Sequence, residues 1–133
     1  MLLKAESFAV LNDADIVRVR QLVRQWSTEA GFGLIDQTKM VTAASELARN
    51  MVLYGKGGRV SLEALNSDVR RGLRVVFEDK GPGIANLDLA MQDGYTTGSG
   101  LGLGLGGAKR LVNEFTIDSR AGEGTRVAIT RWK

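Results

Sequence analysis

The 133-residue chain contains no cysteine, no histidine and only one proline. Without cysteine, neither a disulfide scaffold nor a thiolate metal site can form. Without histidine, the usual side chain for proton transfer near neutral pH is missing, so a general base would be a carboxylate or, less often, a lysine or tyrosine. Zinc would lack its common ligands, and a bound metal would be an oxygen-coordinated ion such as Mg²⁺. A histidine phosphoacceptor is excluded within this chain.

Long apolar runs and blocks of one charge are absent as well. The start, MLLKAESFAVLNDAD, has no basic segment followed by a long apolar one, and no later stretch is long enough to span a bilayer. The net charge of +3 is spread over both halves, which argues against a nucleic-acid footprint. We therefore expect a cytoplasmic protein with a single domain, residues 1–133, and no membrane or nucleic-acid partner.

Hydrophobic periodicity predicts an α+β two-layer sandwich with a mixed, mostly antiparallel sheet and helices on one face. The pattern predicts two β-hairpins, with helices before the first hairpin and between the two. The predicted strands are 7–11, 59–65, 73–79, 115–119 and 125–132. The predicted helices are one from NDAD to about 30, then about 36–54, a short one at 84–93, and about 107–114 after a glycine-rich loop at 94–107.

The segment ELARN places a carboxylate and an amide on one face of the second predicted helix. Glu46 and Asn50 are four residues apart, and an apolar stripe runs beside them. An asparagine carbonyl oxygen suits Mg²⁺, and a glutamate can accept a proton or orient a hydroxyl. The ordinary alternative is a solvated helix surface, because glutamate is a common exposed helix residue.

The segment EDKGPGI ends a strong predicted strand with a carboxylate followed by two glycines. Asp79 is followed by Gly81 and Gly83, which allow a ligand to approach the backbone closely. A carboxylate at such a place can accept a hydrogen bond from an amino group, such as the exocyclic amine of adenine. The ordinary alternative is a turn, for which this composition is also suited.

The stretch GSGLGLGLGG, 98–107, holds six of the 17 glycines. It contains a G-x-G-x-x-G pattern, which would indicate a dinucleotide fold if a strand preceded it in a β-α-β unit. The preceding MQDGYTTGS does not alternate as a strand would, and no P-loop motif is present. Backbone N–H groups of the glycines, followed by a helix, would instead form an anion cradle. The alternating leucines argue against a plain flexible loop.

A fourth, weaker pattern is AGEGT, where Thr125 opens the last strand and could reach the edge of a base directly or through water. The ordinary alternative is a hairpin turn. In their order and spacing the four patterns resemble the GHKL ATP-binding domains of gyrase, Hsp90, histidine kinases and MutL, along the whole chain. The resemblance implies ATP as ligand, Asn50 as the Mg²⁺ ligand, Asp79 at the adenine amine and Thr125 supporting that contact. It also implies glycines that wrap the triphosphate: Gly81, Gly83, Gly100, Gly102, Gly104 and Gly106.

Within this family the sequence is most similar to the short serine/threonine kinases of bacterial partner switching, of the anti-sigma-factor type. The segments SELARN…YG, EDKGPGI, DGYTTGSGLGLGLGG and KRLVNEF…AGEGT resemble the RsbT-type switch-protein kinases of the stressosome. The resemblance implies transfer of the ATP γ-phosphate to a STAS-domain protein, with Glu46 as the catalytic residue that orients or deprotonates the acceptor hydroxyl. Released kinase would then activate a PP2C-type phosphatase.

The alternative within the same resemblance is an ATP-binding anti-sigma factor. Such a protein would sequester a sigma factor and phosphorylate an anti-anti-sigma factor. Sigma-binding relatives usually carry a histidine near the asparagine of the helix, whereas this chain has Tyr54 at that spacing, which favours the switch-kinase type. A homodimer is compatible with either function.

Overall fold

The computed structural model describes residues 1–84, 91 and 104–133. Within these residues the elements are β1 (Leu2–Val10), α1 (Asp13–Glu29), α2 (Leu34–Tyr54), β2 (Gly58–Asn66), β3 (Arg71–Asp79), α3 (Gly104–Arg110), β4 (Glu114–Arg120) and β5 (Gly124–Trp132). The glycines Gly100 and Gly102, and most of the short helix predicted at 84–93, lie outside the described residues.

The two long helices form where the sequence supplies a cap and an apolar stripe. The side chain of Asn12 accepts a hydrogen bond from the backbone N–H of Asp15 and so caps α1. The inward stripe of α1 is Ile16, Val19, Val23 and Trp26, at helical spacing. The buried stripe of α2 contains small and flexible residues, Met40, Ala43, Ala44, Leu47, Ala48 and Met51. Both helices therefore pack with their apolar sides into one core.

The five strands form one sheet in the order β1-β2-β3-β5-β4, and every pairing among the described strands is antiparallel. The α+β class and the helix layer are therefore confirmed, whereas the sheet is fully antiparallel rather than mixed. The register aligns one apolar residue from each strand across the helix-facing side: Phe8, Val60, Phe77, Val127 and Ile117. This row forms the floor of the hydrophobic core.

The opposite side of the sheet carries cross-strand charge pairs. Arg59, Glu78, Arg126 and Asp118 follow one another across four strands, with alternating sign. Opposite charges at facing positions stabilise neighbouring strands. The alternation of apolar and charged residues along each strand thus decides which side of the sheet takes the helices.

The third helix differs from its sequence prediction. It spans Gly104–Arg110 instead of about 107–114, because Leu105 and Ala108 are both buried and extend the apolar stripe towards the glycines. Glu114 pairs with Thr130 in the sheet, so the chain has left the helix before that residue. The first strand begins at Leu2, five residues before the predicted start at 7. Its first residues are exposed and show no apolar–polar alternation, so the sequence pattern does not reveal them as a strand.

Candidate nucleotide-binding site

Glu46 and Asn50 of the ELARN segment lie one turn apart on the same face of helix α2. Glu46 and Asn50 are both half-buried, while Arg49 between them is exposed and Leu47 is buried in the core. With a rise of about 1.5 Å per residue, Glu46 lies about 14 Å along the helix from Gly55, the residue that ends it. The helix can therefore contact both ends of an elongated ligand.

The carboxylate of Asp79 lies at the end of β3, half-buried and held by backbone groups. Its Oδ1 accepts a hydrogen bond from the N–H of Gly81 at 2.9 Å. Burial raises the pKa of Asp79 above its ordinary value of 3.8, although the backbone N–H groups of Gly81 and Thr125 act in the opposite direction. A carboxylate has about four lone-pair sites, so these two bonds leave it able to accept a further donor.

Gly55 brings the end of α2 against this carboxylate. A Cβ atom added at Gly55 would lie 2.5 Å from Asp79 Oδ2, and one added at Gly81 would lie 2.7 Å from Gly55 Cα. The three residues thus meet with no side chain between them except the carboxylate itself. Gly55 is not among the site residues predicted from the sequence, although the segment SELARN…YG ends on it.

We expect Gly55→Ala to lower ATP affinity about tenfold or more, the effect of losing one hydrogen bond to a charged group. The added methyl group must displace the Asp79 carboxylate from its present position. Titration calorimetry with ATP measures the change. Gly33→Ala is the matched control at the other end of α2, since a Cβ there meets nothing within 4 Å. Unchanged affinity in Gly55→Ala would contradict a ligand site at Asp79.

Thr125 lies directly opposite Asp79 in the β3–β5 register and belongs to a small hydroxyl network. Its hydroxyl is 2.7 Å from Ser119 Oγ, which in turn accepts the N–H of Ile84 at 2.8 Å. Ser119 therefore holds the Thr125 hydroxyl and the segment after β3 together. Ser119 is not among the site residues predicted from the sequence. The signal lies in the β4–β5 register, which requires the strand pairing to be known.

The segment after Asp79 rests on the turn between β4 and β5. The N–H of Gly122 donates to Pro82 O at 2.7 Å. Gly83 has φ +75°, and a Cβ there would collide with the carbonyl oxygen of Arg120. Gly124 has φ +105°, and a Cβ there would collide with the carbonyl oxygen of Asp79. Glycine is required at both positions by conformation and by close approach of the backbone.

The structure brings Asp79, Gly81, Gly83 and Thr125 into one cluster, and it joins α2 to that cluster through Gly55. Gly104 begins α3 and Gly106 lies within it, so these two glycines belong to a helix rather than to the predicted loop. Leu105 and Ala108 bury α3 against the core beside α2. The ligand contacts assigned to all these residues stay predictions.

The chain matches the family of histidine kinase-, DNA gyrase B- and HSP90-like ATPases over residues 35–133. It belongs to this ATPase family. The fold and the GHKL resemblance predicted from the four motifs are therefore confirmed. The matched region includes every residue of the candidate site.

Sequence identity to curated relatives shows which members of this ATPase family the chain resembles. It is 45% identical over 123 residues to the serine/threonine-protein kinase RsbT of Bacillus subtilis, covering 92% of each chain. It is 33% identical over 106 residues to an anti-sigma F factor of Clostridium beijerinckii, covering 73% of this chain and 72% of the relative. The predicted resemblance to RsbT-type kinases is confirmed.

Solved structures support the fold alone, since their sequence identities are low. The RsbU and RsbW domains of a Mycobacterium tuberculosis protein superpose with a TM-score of 0.68 at 24% identity. That match covers 98% of this ATPase domain and 33% of the larger chain. The mycobacterial sensor histidine kinase MprB superposes with a TM-score of 0.58 at 18% identity, with 97% of each chain covered.

In residues 1–84, 91 and 104–133, no group of three or more acidic side chains is arranged to hold a metal ion. Among the helices that the structure describes, none is long and apolar enough to cross a membrane.

Proposed function

We propose that this ATPase domain is a partner-switching kinase that transfers the γ-phosphate of ATP to a serine or threonine of a STAS-domain protein. When released from that protein, it would activate a PP2C-type phosphatase. The predicted serine/threonine kinase class is confirmed by the 45% identity to RsbT along 92% of both chains. The structural observation that supports ATP use is the half-buried Asp79 acceptor, framed by Gly55, Gly81 and Thr125.

Adenine recognition would use the Asp79 end of the site. The carboxylate can accept a hydrogen bond from the exocyclic amine of adenine, and the glycines beside it allow Gly55 and Gly81 to pack directly against the carboxylate and each other. The Thr125 hydroxyl, held by Ser119, would contact the base edge directly or through water. Guanine has a carbonyl oxygen in place of that amine, so the same carboxylate would reject it.

Magnesium would be held by Asn50 together with the phosphates of ATP. Mg²⁺ in nucleotide sites keeps few protein ligands and takes the rest from phosphate oxygens and water. A single half-buried amide oxygen on α2, without an acidic cluster among the described residues, fits that kind of site. The N–H groups of the predicted phosphate-binding glycines would then neutralise the remaining phosphate charge.

Glu46 would act at the far end of the nucleotide, where the γ-phosphate meets the acceptor hydroxyl. As that oxygen bonds to phosphorus and the bond to ADP breaks, the hydroxyl proton passes to a base. The chain contains no histidine, so the Glu46 carboxylate on α2 is the group suited to act as that base. Arg49 beside it is exposed and remains available to phosphates or solvent.

The test uses γ-labelled ATP, Mg²⁺ and a purified STAS-domain protein of a bacterial partner-switching system. We expect label on a serine or threonine of the STAS protein, and we expect the phosphorylated STAS protein to release the kinase to a PP2C-type phosphatase in a pull-down. No label transfer, combined with capture of a sigma factor, would contradict the proposal.

The second candidate function is that of an anti-sigma factor, which would sequester a sigma factor and phosphorylate an anti-anti-sigma factor instead of the STAS protein used in this test. Similarity to several clostridial anti-sigma F factors, at 28–33% identity, supports it. We further propose that residues 1–133 act as one domain in the cytoplasm. A homodimer is compatible with either function.

A further inference from the structure

The guanidinium of Arg131 joins three elements behind the candidate site. Arg131 lies on the helix-facing side of β5, opposite Leu73, and its side chain is 15% exposed. Its Nη2 donates to Asp36 Oδ1 in the first turn of α2 at 2.6 Å. Its Nη1 donates to the carbonyl oxygen of Leu111, just after α3, at 2.8 Å. One side chain therefore connects the sheet, α2 and the exit of α3.

Helix α3 depends on such contacts because its own sequence is a poor helix former. Three of its seven residues are glycines, Gly104, Gly106 and Gly107, each costing about 1 kcal/mol in a helix relative to alanine. A short segment of this kind is not stable as an isolated helix. Its position is set by buried Leu105 and Ala108 and, at its exit, by the hydrogen bond from Arg131.

The contribution of Arg131 to global stability is expected to be small. Buried ion pairs lose much of their attraction to desolvation, and apolar replacements of similar volume are often neutral. Arg131 Nε is buried without an acceptor among the described residues, which adds to that cost. Asp36 is 38% exposed, so water can solvate it if the arginine is removed. We therefore expect the contact to affect the position of α3 more than the stability of the whole fold.

We propose that Arg131 is a positioning residue for phosphate binding: it holds α3, which contains the predicted phosphate-binding residues Gly104 and Gly106, at a fixed place against α2. Asp36 is its partner in this role. Arg131 does not itself touch the nucleotide. The proposal rests on the proposed function, in which the glycine stretch binds the triphosphate and Asp79 binds adenine.

The test compares two probes, ATP with Mg²⁺ and adenosine, by calorimetry on the full chain. In Arg131→Met we expect the dissociation constant for ATP to rise about tenfold, the effect of one lost charge-assisted bond, while that for adenosine stays unchanged. Arg131→Lys should recover part of the ATP affinity, since an ammonium can still approach the Leu111 carbonyl. Asp36→Asn should give a smaller loss with the same selectivity.

Arg74→Met is the matched control. Arg74 forms an equally short ion pair, 2.6 Å to Glu63, but on the charged side of the sheet away from α3. We expect it to bind both probes normally. Equal losses of affinity for ATP and for adenosine in Arg131→Met and Asp36→Asn would mean that Arg131 has only a structural role, and would overturn the proposal. Unchanged ATP affinity in both variants would overturn it as well. If wild-type protein binds neither probe, the proposed function itself fails.

Discussion

Asp79→Asn is expected to raise the dissociation constant for ATP by about ten- to 150-fold, the range for a hydrogen bond to a charged group. The asparagine keeps one acceptor oxygen but replaces the other with an NH₂ donor that would face the adenine amine. The N–H groups of Gly81 and Thr125 compete for the remaining oxygen. Titration with ATP and with adenosine should show similar losses, because both carry the same base.

Asp118→Asn is the control for this substitution. Asp118 lies on the charged side of the sheet, opposite Arg126, and is exposed. We expect it to bind ATP as the wild type does. If Asp79→Asn bound ATP with unchanged affinity, the adenine site would be wrongly placed.

Asp79→Asn is expected to act in the opposite direction on stability: without nucleotide, it should raise the free energy of unfolding at neutral pH. Burial raises the pKa of Asp79, so the folded state binds its proton more readily than the unfolded chain does. Ionised Asp79 therefore disfavours folding once the pH exceeds the raised pKa, and this cost disappears below the ordinary value of 3.8. Urea unfolding should show Asp79→Asn more stable than wild type at neutral pH, with the difference vanishing in acid.

Glu46→Ala is expected to bind ATP normally and to lose phosphoryl transfer by about 10²- to 10⁴-fold, the usual contribution of a general base. Glu46 lies about 14 Å along α2 from the Gly55 end, so we expect its removal to leave the proposed adenine site at Asp79 intact. Transfer of label to the STAS protein, measured beside ATP affinity, separates the two effects. Glu46→Gln should match Glu46→Ala, since the amide cannot accept the proton.

Glu78→Gln serves as the control for Glu46. Glu78 immediately precedes Asp79 but points to the charged side of the sheet, with its side chain 60% exposed. It should transfer phosphate at the wild-type rate. Normal transfer by Glu46→Ala would exclude Glu46 as the base and move that role to the acceptor protein or to solvent.

Local signals predicted the secondary structure well where both periodicity and stop residues were present. The helix containing Glu46 and Asn50 was predicted at about 36–54 and spans Leu34–Tyr54, since its apolar stripe and the glycines after it agree. The helix after the glycine stretch begins three residues earlier and ends four residues earlier than the predicted 107–114. Its glycines indicated a loop, but burial of Leu105 outweighs their low helix propensity.

The sequence by itself determined the fold class, the family and the four motifs, because helical and strand periodicity and short glycine patterns are local properties of the chain. The tertiary structure decided that β5 lies between β3 and β4, which puts Thr125 between Asp79 on one neighbouring strand and Ser119 on the other. It also decided the contact of Gly55 with Asp79 and the bond from Arg131 to the exit of α3. Arg131 is 20 positions from Leu111 and 95 from Asp36, and strand order and helix docking, rather than local spacing, bring such residues together.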